Sequence, residues 1–501
     1  MGPASSEAED SGPKLKNERK DQRPGTNDEG PKVRHTKIVS TVGPASDSDA
    51  MLARLVDAGT EVFRLNFSHG THESHARTVA RIRAAASRAG REIAILQDLS
   101  GPKIRTSRLE GGTPLSLNDG DRLRIGTGDE VGGPGHIFTT FAGLAKAVRP
   151  GDRLLLADGL IELRVEAVSG ADIETSVVEG GTLGEHKGIN APGVALPASA
   201  ITAKDVEDLK FGQSVGIDMV GISFVRNAAD LRQARELLVG QGSADVPLVA
   251  KLERPQALDN LDEILDSCQA VMIARGDLGL EMPLECVPRA QKEITRAARQ
   301  RGIPVILATQ VLESMTHEPR PTRAEVSDAA YAVDAGVDAI MLAGETAVGA
   351  FPVQAVQTLD AIIRDAESTP SSAAALELKG TVDHTHALCE AAVTLANRGD
   401  AHAIVAITRQ GTTARLLSAL RPHAPIYATT DSDVTARRLG FCWGIVPVRT
   451  DIGDNMESAV PLVRRQLTER RFVAVGDLVV LVNIHPDPTR PDANYLKIHR
   501  L

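Results

Sequence analysis

Cysteine is scarce in this chain. Cys268, Cys286, Cys389 and Cys442 are scattered over 501 residues and form no CxxC pair. That spacing offers no redox motif and fits a reduced, cytoplasmic protein. Basic charge is also in deficit, with 56 Lys and Arg against 66 Asp and Glu, a net charge of −10. Such a balance implies no broad basic surface and argues against nucleic acid as a partner. No apolar run approaches the ~20 residues that a membrane span needs, so no membrane association is expected. Residues 1–31 hold almost no large apolar side chain and are rich in Glu, Asp, Lys, Gly, Pro and Ser, the composition of a disordered tail. Its acidic residues argue against a mitochondrial transit peptide, and it lacks the apolar core of a signal peptide. No internal repeat is visible.

What remains is globular in composition, 42% hydrophobic and 24% charged, and long enough for two to four domains. The stretch Val249–Glu281 carries the clearest pattern. Two short apolar runs end in charged residues, the first at Lys251 and Glu253, the second at Arg275, Gly276 and Asp277. Between them lies an amphipathic segment, Leu258–Leu265. Strand, helix, strand with charges at both C-terminal tips is the layout of an α/β ligand site. Glu253 and Asp277 can hold a Mg²⁺ that keeps waters and takes further ligands from a phosphate or carboxylate. Lys251 adds a fixed positive charge, and Gly276 lets backbone amides approach an anion. Taken singly, Lys251 or Glu253 reads equally well as a salt-bridged strand end.

Before and after this stretch, strands and helices alternate. Strands are expected at Lys37–Val42, Glu61–Asn66 and Ile93–Asp98, then at Met219–Phe224, Leu248–Leu252, Ala270–Ala274, Val305–Ala308 and Ala339–Leu342. Ser46 with Asp49, and Thr202 with Asp205, resemble capping boxes at helix starts. Residues 106–202 differ: short β-like runs broken by Gly and Pro read as a small all-β barrel domain inserted after the third strand. Three strands before the insert and five after make a (β/α)8 barrel, an α/β fold, over 32–105 and 203–370. Residues 368–380 read as a linker, and 371–501 as a C-terminal α/β domain with an open mixed sheet.

Barrel chemistry sits at strand C-termini. The second strand delivers Arg64, Asn66, Ser68 and His69, the third Asp98, Lys103 and Arg105, the seventh Thr309 and the eighth Glu345. Cations, carboxylates and hydroxyls converging on one mouth suit phosphoryl transfer or stabilisation of an enolate. His69, His72 and His75 have a spacing that metal ligands sometimes use. The reading preferred here puts His69 in the site loop and the other two on a solvated helix face. Thr309 by itself reads equally well as a helix cap.

The motifs RLNFSHG, KLE followed by MIARGDLGLE, ATQVLESM with PTRAEVSD, MLAGETA and LGEHKGINAPG resemble pyruvate kinase, in order, from about residue 33 to the end. The resemblance implies transfer of a phosphoryl group from phosphoenolpyruvate to ADP, giving pyruvate and ATP, the last step of glycolysis. It implies that Arg64 and Lys251 hold the phosphoryl group. Gly276, Asp277 and Thr309 would face the substrate carboxylate, and Asn66, His69, Arg105 and Lys187 would contact the nucleotide. Mg²⁺ (or Mn²⁺) would sit on Glu253 and Asp277. The insert would close as a lid, the C-terminal domain would be regulatory, and the assembly would be a homotetramer.

The chain departs from the family pattern in three places. Ala343 stands where Ser is frequent, which removes a hydroxyl from any proton relay. Gln410 stands in the ITRQGTTARL loop, whose Thr408, Gly411, Thr412 and Thr413 remain a candidate effector phosphate cradle; the later NIHPDPTRPDANYLK segment lacks the usual glycines. Third, family members that need K⁺ hold it with residues matching Asn66, Ser68, Asp98 and the position of Leu99, within a DTKGPEIR motif. Here the motif is DLSGPKIR. Leu99 offers no side-chain oxygen and Lys103 places an ammonium where those members have Glu, so K⁺ is expected not to be required. Two other readings use less of the chain. A metal-dependent barrel lyase or aldolase making pyruvate enolate needs neither the lid nor the RLNFSHG loop. A non-catalytic regulatory protein would have no use for intact Arg64, Lys251, Glu253, Asp277 and Thr309.

Overall fold

Eight short strands, largely buried and apolar except for polar residues near the ends of the first three and the fifth, close on one another in a parallel barrel. In chain order they are Lys37–Thr41, Val62–Asn66, Ala94–Asp98, Met219–Ile222, Leu248–Leu252, Ala270–Ala274, Val305–Ala308 and Ala339–Leu342. Continuous rather than alternating hydrophobicity is what a parallel sheet covered on both faces requires. The computed structural model describes residues 33–194, 199–369, 383–452, 456–484 and 494–501. The expected tail at 1–31, most of the expected linker at 368–380 and residues 485–493 lie outside the described residues.

The two faces of each strand pack into different layers. Ile38, Phe63, Ile95, Val220, Ala250, Ile273, Leu307 and Ile340 pack with the surrounding helices. Val39, Val62, Leu96, Met219, Val249, Met272, Ile306 and Met341 fill the interior. Because strand side chains alternate, every second residue beyond an interior position also points inward. Val62 therefore predicts Arg64 and Asn66, Leu96 predicts Asp98, Met219 predicts Ser223, and Val249 predicts Lys251 and Glu253. The polar end of the barrel interior follows from parity alone.

The insert carries a six-stranded sheet, in which Ile161–Ser169 and Asp172–Glu179 are central, and a two-stranded sheet pairing Leu115–Leu117 with Gly181–Leu183. It has its own apolar core, including Leu123, Ile125, Leu154, Leu163 and Val177. The C-terminal sheet has five strands, four of them parallel. The fifth, Asn494–Arg500, runs antiparallel at the edge and was not among the expected strands. Its Lys497 and Arg500 make it an edge strand of the charged kind that resists further pairing.

Local sequence signals decide some helix starts and tertiary contacts decide others. Thr202 and Asp205 form the expected capping box. At the first helix, Asp49–Ala58, the cap is Ser48, whose side chain accepts from Met51 N at 3.2 Å, while Ser46 is buried and bonded to Gly43. The expected helix Leu258–Leu265 is two short pieces, Gln256–Asp259 and Leu261–Leu265. Asn260 breaks it: its amide donates to Arg226 O and Gln256 O, an alternative to helical backbone bonding. Ser48→Ala should lower the free energy of unfolding by about 1 kcal/mol, the usual cost of losing an N-cap oxygen. Urea unfolding followed by circular dichroism measures it.

Candidate active site

Four ionisable side chains meet in the top layer of the barrel interior. Arg64 Nε donates to Asp98 Oδ2 at 2.6 Å, and its Nη1 donates to Thr41 Oγ1 at 3.2 Å. Lys251 Nζ lies 3.1 Å from Asp98 Oδ1 and 2.8 Å from Glu253 Oε1. It also donates to Ser223 Oγ at 2.7 Å. The second Glu253 oxygen accepts from Phe224 N at 2.8 Å. Asp98 is thus shared by two cations, and Lys251 by two carboxylates.

Burial makes these pairings decisive. Asp98 and Glu253 are each 1% exposed. Burial alone pushes the Asp98 carboxyl up, but Lys251 and Arg64 outweigh it and hold its pKa below the ordinary value. Burial likewise pulls Lys251 down, and Asp98 and Glu253 more than reverse it, so the ammonium keeps its proton far above neutral pH. Glu253 is the exception: burial raises its carboxyl, Lys251 opposes, and the neighbouring charge of Asp277 adds to the rise. A buried carboxylate with a second one beside it suits a hard divalent cation with oxygen ligands. Among the described residues no group of three or more His, Cys, Asp or Glu side chains is arranged to hold a metal. A cation on Glu253 and Asp277 would complete its shell from water and substrate.

The sixth and seventh strands supply the other wall. Gly276 N donates to Thr309 Oγ1 at 2.8 Å, and that hydroxyl donates to Ala308 O at 2.7 Å. Thr309 therefore faces the Gly276 amide rather than capping a helix. Thr309 and Gln310 both take positive φ, 65° and 55°. Left-handed backbone at consecutive non-glycine residues needs support from outside. Arg275 provides it, donating to Thr309 O at 3.1 Å and Gln310 O at 2.9 Å while paired with Asp328 at 2.6 Å.

The remaining expected residues fall on the rim. Asn66 Oδ1 accepts from Ser68 N at 3.1 Å, and Ser68 Oγ donates to Ser100 Oγ at 3.2 Å. Lys103 is exposed at the mouth, and its pKa is lowered by desolvation and by Lys251, against Glu253, Asp277 and Asp98. His69 is lowered by desolvation and by Arg105, Lys103 and Arg64, a sign that these cations share one rim. Arg105 pairs with Gly188 in an isolated antiparallel bridge, and Thr106 exchanges hydrogen bonds with Lys187, so the insert brings Lys187 beside Arg105. Leu99 is 2% exposed and packed in the core.

Other candidates are placed elsewhere. Glu345 is fully buried, accepting from Leu312 N at 3.0 Å and Ala343 N at 2.7 Å, which makes it a structural brace. His72 and His75 are part-exposed on the helix and each packs one ring face: His72, its side chain 42% exposed, stacks on Phe211 and lies 2.7 Å from Asp208, and His75 stacks on Phe67. In the C-terminal loop, Gly411 N donates to Thr408 Oγ1 at 2.9 Å, Thr412 is exposed and Thr413 is buried. Reading strand tips for charge missed Ser223 and Thr41, and found Arg275 without its role. The first two lie on the inward parity row and were findable that way; Arg275 acts through a backbone conformation that the sequence does not announce.

Two family models match the chain, "Pyruvate kinase, barrel domain" over residues 33–356 and "Pyruvate kinase, alpha/beta domain" over 386–499. A pyruvate kinase of Mycobacterium intracellulare is 41% identical over 477 residues, covering 93% of this chain and 98% of the relative. One from Geobacillus stearothermophilus is 41% identical, covering 93% and 80%. A crystal structure of a pyruvate kinase from Cryptosporidium parvum superposes with a TM-score of 0.86 at 34% identity, covering 93% of this chain and 96% of that one.

Asp98→Asn would leave Lys251 and Arg64 without their shared counter-charge. Breaking one partner of a buried ion pair typically costs about 3–5 kcal/mol. Urea unfolding of the variant should show a loss of that order, whereas Asn66→Ala on the rim should lose far less.

Proposed function

This chain belongs to the pyruvate kinase family, whose reaction joins phosphoenolpyruvate and ADP to pyruvate and ATP, and on that premise we propose how its own residues divide the work. The observation that carries the reading is the sharing of Asp98 between Arg64 and Lys251, which fixes two cations side by side at the barrel mouth. Arg64 presents a planar fork to the phosphoryl oxygens, and Lys251 balances the charge that builds on them during transfer. Asp98, Glu253 and Ser223 position that ammonium. The Gly276 amide and Thr309 hydroxyl receive the substrate carboxylate. Asn66, His69, Arg105 and Lys187 contact the nucleotide. Glu253 and Asp277 would hold Mg²⁺, or Mn²⁺, which supplies Lewis-acid neutralisation of phosphate charge when bound.

In this reading the barrel over 32–105 and 203–370 carries the chemistry. The insert over 106–202 closes over the mouth and excludes water that would hydrolyse the phosphoryl donor. The region 371–501 is regulatory, with Thr408, Gly411, Thr412 and Thr413 as its phosphate cradle. The enzyme works in the cytoplasm as a homotetramer. Among the described residues no helix is long and apolar enough to cross a membrane.

K⁺ is not required in this proposal. Leu99 brings no oxygen to the mouth, Asn66 Oδ1 is engaged by Ser68, and both Asp98 oxygens face cations of the chain itself. The Lys103 ammonium stands in for the monovalent ion.

Lys251→Met should lower kcat by about 10³-fold or more with a smaller change in KM, since the lost charge acts mainly in the transition state. A coupled assay of ADP-dependent pyruvate formation measures both; near-normal turnover would remove Lys251 from the chemistry. The parent enzyme should be fully active with tetramethylammonium as the sole monovalent cation. A large activation by KCl at matched ionic strength would show that Lys103 does not replace the ion.

A further inference from the structure

At the end of the barrel opposite the mouth, the starts of the seventh and eighth strands face the C-terminal domain. A cleft along this seam, partly open to solvent, has an interior of about 10 Å³, room for about one ordered water, and about 300 Å³ when the open solvent over it is counted. Its lining brings Arg299, Arg415 and Arg421 together with a single carboxylate, Asp338. That carboxylate is already committed. Its Oδ1 lies 3.0 Å from Arg421 Nη2, and its Oδ2 accepts from Val305 N at 2.9 Å.

The guanidiniums are held but not satisfied. Arg421 Nη2 also donates to Gly336 O at 2.9 Å, and its plane stacks 4.6 Å from the Trp443 ring centre. Its Nε and Nη1 are shielded from solvent and have no acceptor. Arg299 Nε is in the same condition. Arg299 packs against the same glycine, where an added Cβ would come within 2.6 Å of its Nη1. Two like charges thus meet at Gly336, and burial together with Arg421 lowers Arg299 to about 10. Arg415 reaches from the cleft to the loop above it, with Nη1 3.2 Å from Gln410 O and Nη2 3.4 Å from Thr412 Oγ1.

Buried donors without acceptors and a local excess of positive charge are both unfavourable, and one ligand chemistry relieves both at once. Planar forks with open N–H positions match the oxygens of a phosphate group. We propose that this cleft binds a phosphate group, as the free ion or as a phosphate monoester, between Arg299 of the barrel and Arg415 and Arg421 of the C-terminal domain. The ligand bridges the two domains, and the site is independent of the roles assigned at the mouth.

Thermal unfolding of the full chain tests this, with inorganic phosphate or glycerol 3-phosphate titrated at constant ionic strength. A ligand that binds only the native state raises the melting temperature with concentration. Arg299→Gln and Arg415→Gln are the variants of choice, because removing Arg421 would leave Asp338 unpaired. The wild-type midpoint should rise saturably, and half-saturation should shift upward by about tenfold or more in each variant, the scale of a lost charge-assisted contact. General stabilisation by phosphate as a solute is common to all three proteins and cancels. Lys251→Met should keep the wild-type response, which separates the cleft from the mouth. Tighter saturation by glycerol 3-phosphate identifies a phosphorylated metabolite as ligand, and tighter saturation by inorganic phosphate identifies the free ion. Curves of both variants that superimpose on wild type, or no saturable response in wild type, overturn the proposal.

Discussion

The Asp98 carboxylate, 2.6 Å from Arg64 and 3.1 Å from Lys251, is the contact on which the upper barrel depends. Arg64, Asp98 and Lys251 lie in the parity rows that fill the barrel below with Val62, Leu96 and Val249. Without an anion between them they would be two cations held together in a poorly hydrated place. With it, each is charged and fixed in direction. The pairing brings little net stability, since desolvation offsets most of the attraction. Its effect is to position charge, which the proposed phosphoryl transfer needs in advance of the substrate.

Around this centre the barrel trades backbone comfort for geometry. Phe224 has a φ of 56°, and its amide points to Glu253; Thr309 has a φ of 65°, and its hydroxyl accepts from Gly276. Left-handed backbone at such residues is unfavourable and persists because neighbours hold it. Arg275 does so for Thr309, and the hydrogen bond to Glu253 does so for Phe224. The lower end of the barrel is tied with similar chemistry. Asp218, fully buried, receives Arg83 at 2.6 Å and Arg437 of the C-terminal domain at 2.8 Å. The arginine-lined cleft lies along the same seam, at the start of the seventh and eighth strands.

Much of this was legible in the sequence. Eight apolar runs with polar tips are enough for a barrel, and Lys251, Glu253 and Asp277 stand out because charge at the end of a buried strand is otherwise unfavourable. Thr202 with Asp205 announced its helix because a capping box is local chemistry. The failures have one cause, that tertiary partners decide between local options. Ser46 and Ser48 are both plausible caps, and burial of Ser46 settles the choice. Asn260 interrupts a well-patterned helix because Arg226 O is within its reach. Glu345 resembles a site carboxylate until the amides of Leu312 and Ala343 claim it. The strand Asn494–Arg500 was invisible because an exposed edge strand carries charge instead of a clear apolar pattern.

The measurement that bears most directly on the account is phosphorus NMR of the purified protein with phosphoenolpyruvate, ADP and Mg²⁺. The arrangement at the mouth predicts that the phosphoenolpyruvate resonance decays as the β-phosphate resonance of ATP grows, one for one, with no accumulation of inorganic phosphate. Loss of phosphoenolpyruvate into inorganic phosphate alone, or a spectrum that does not change, would contradict it.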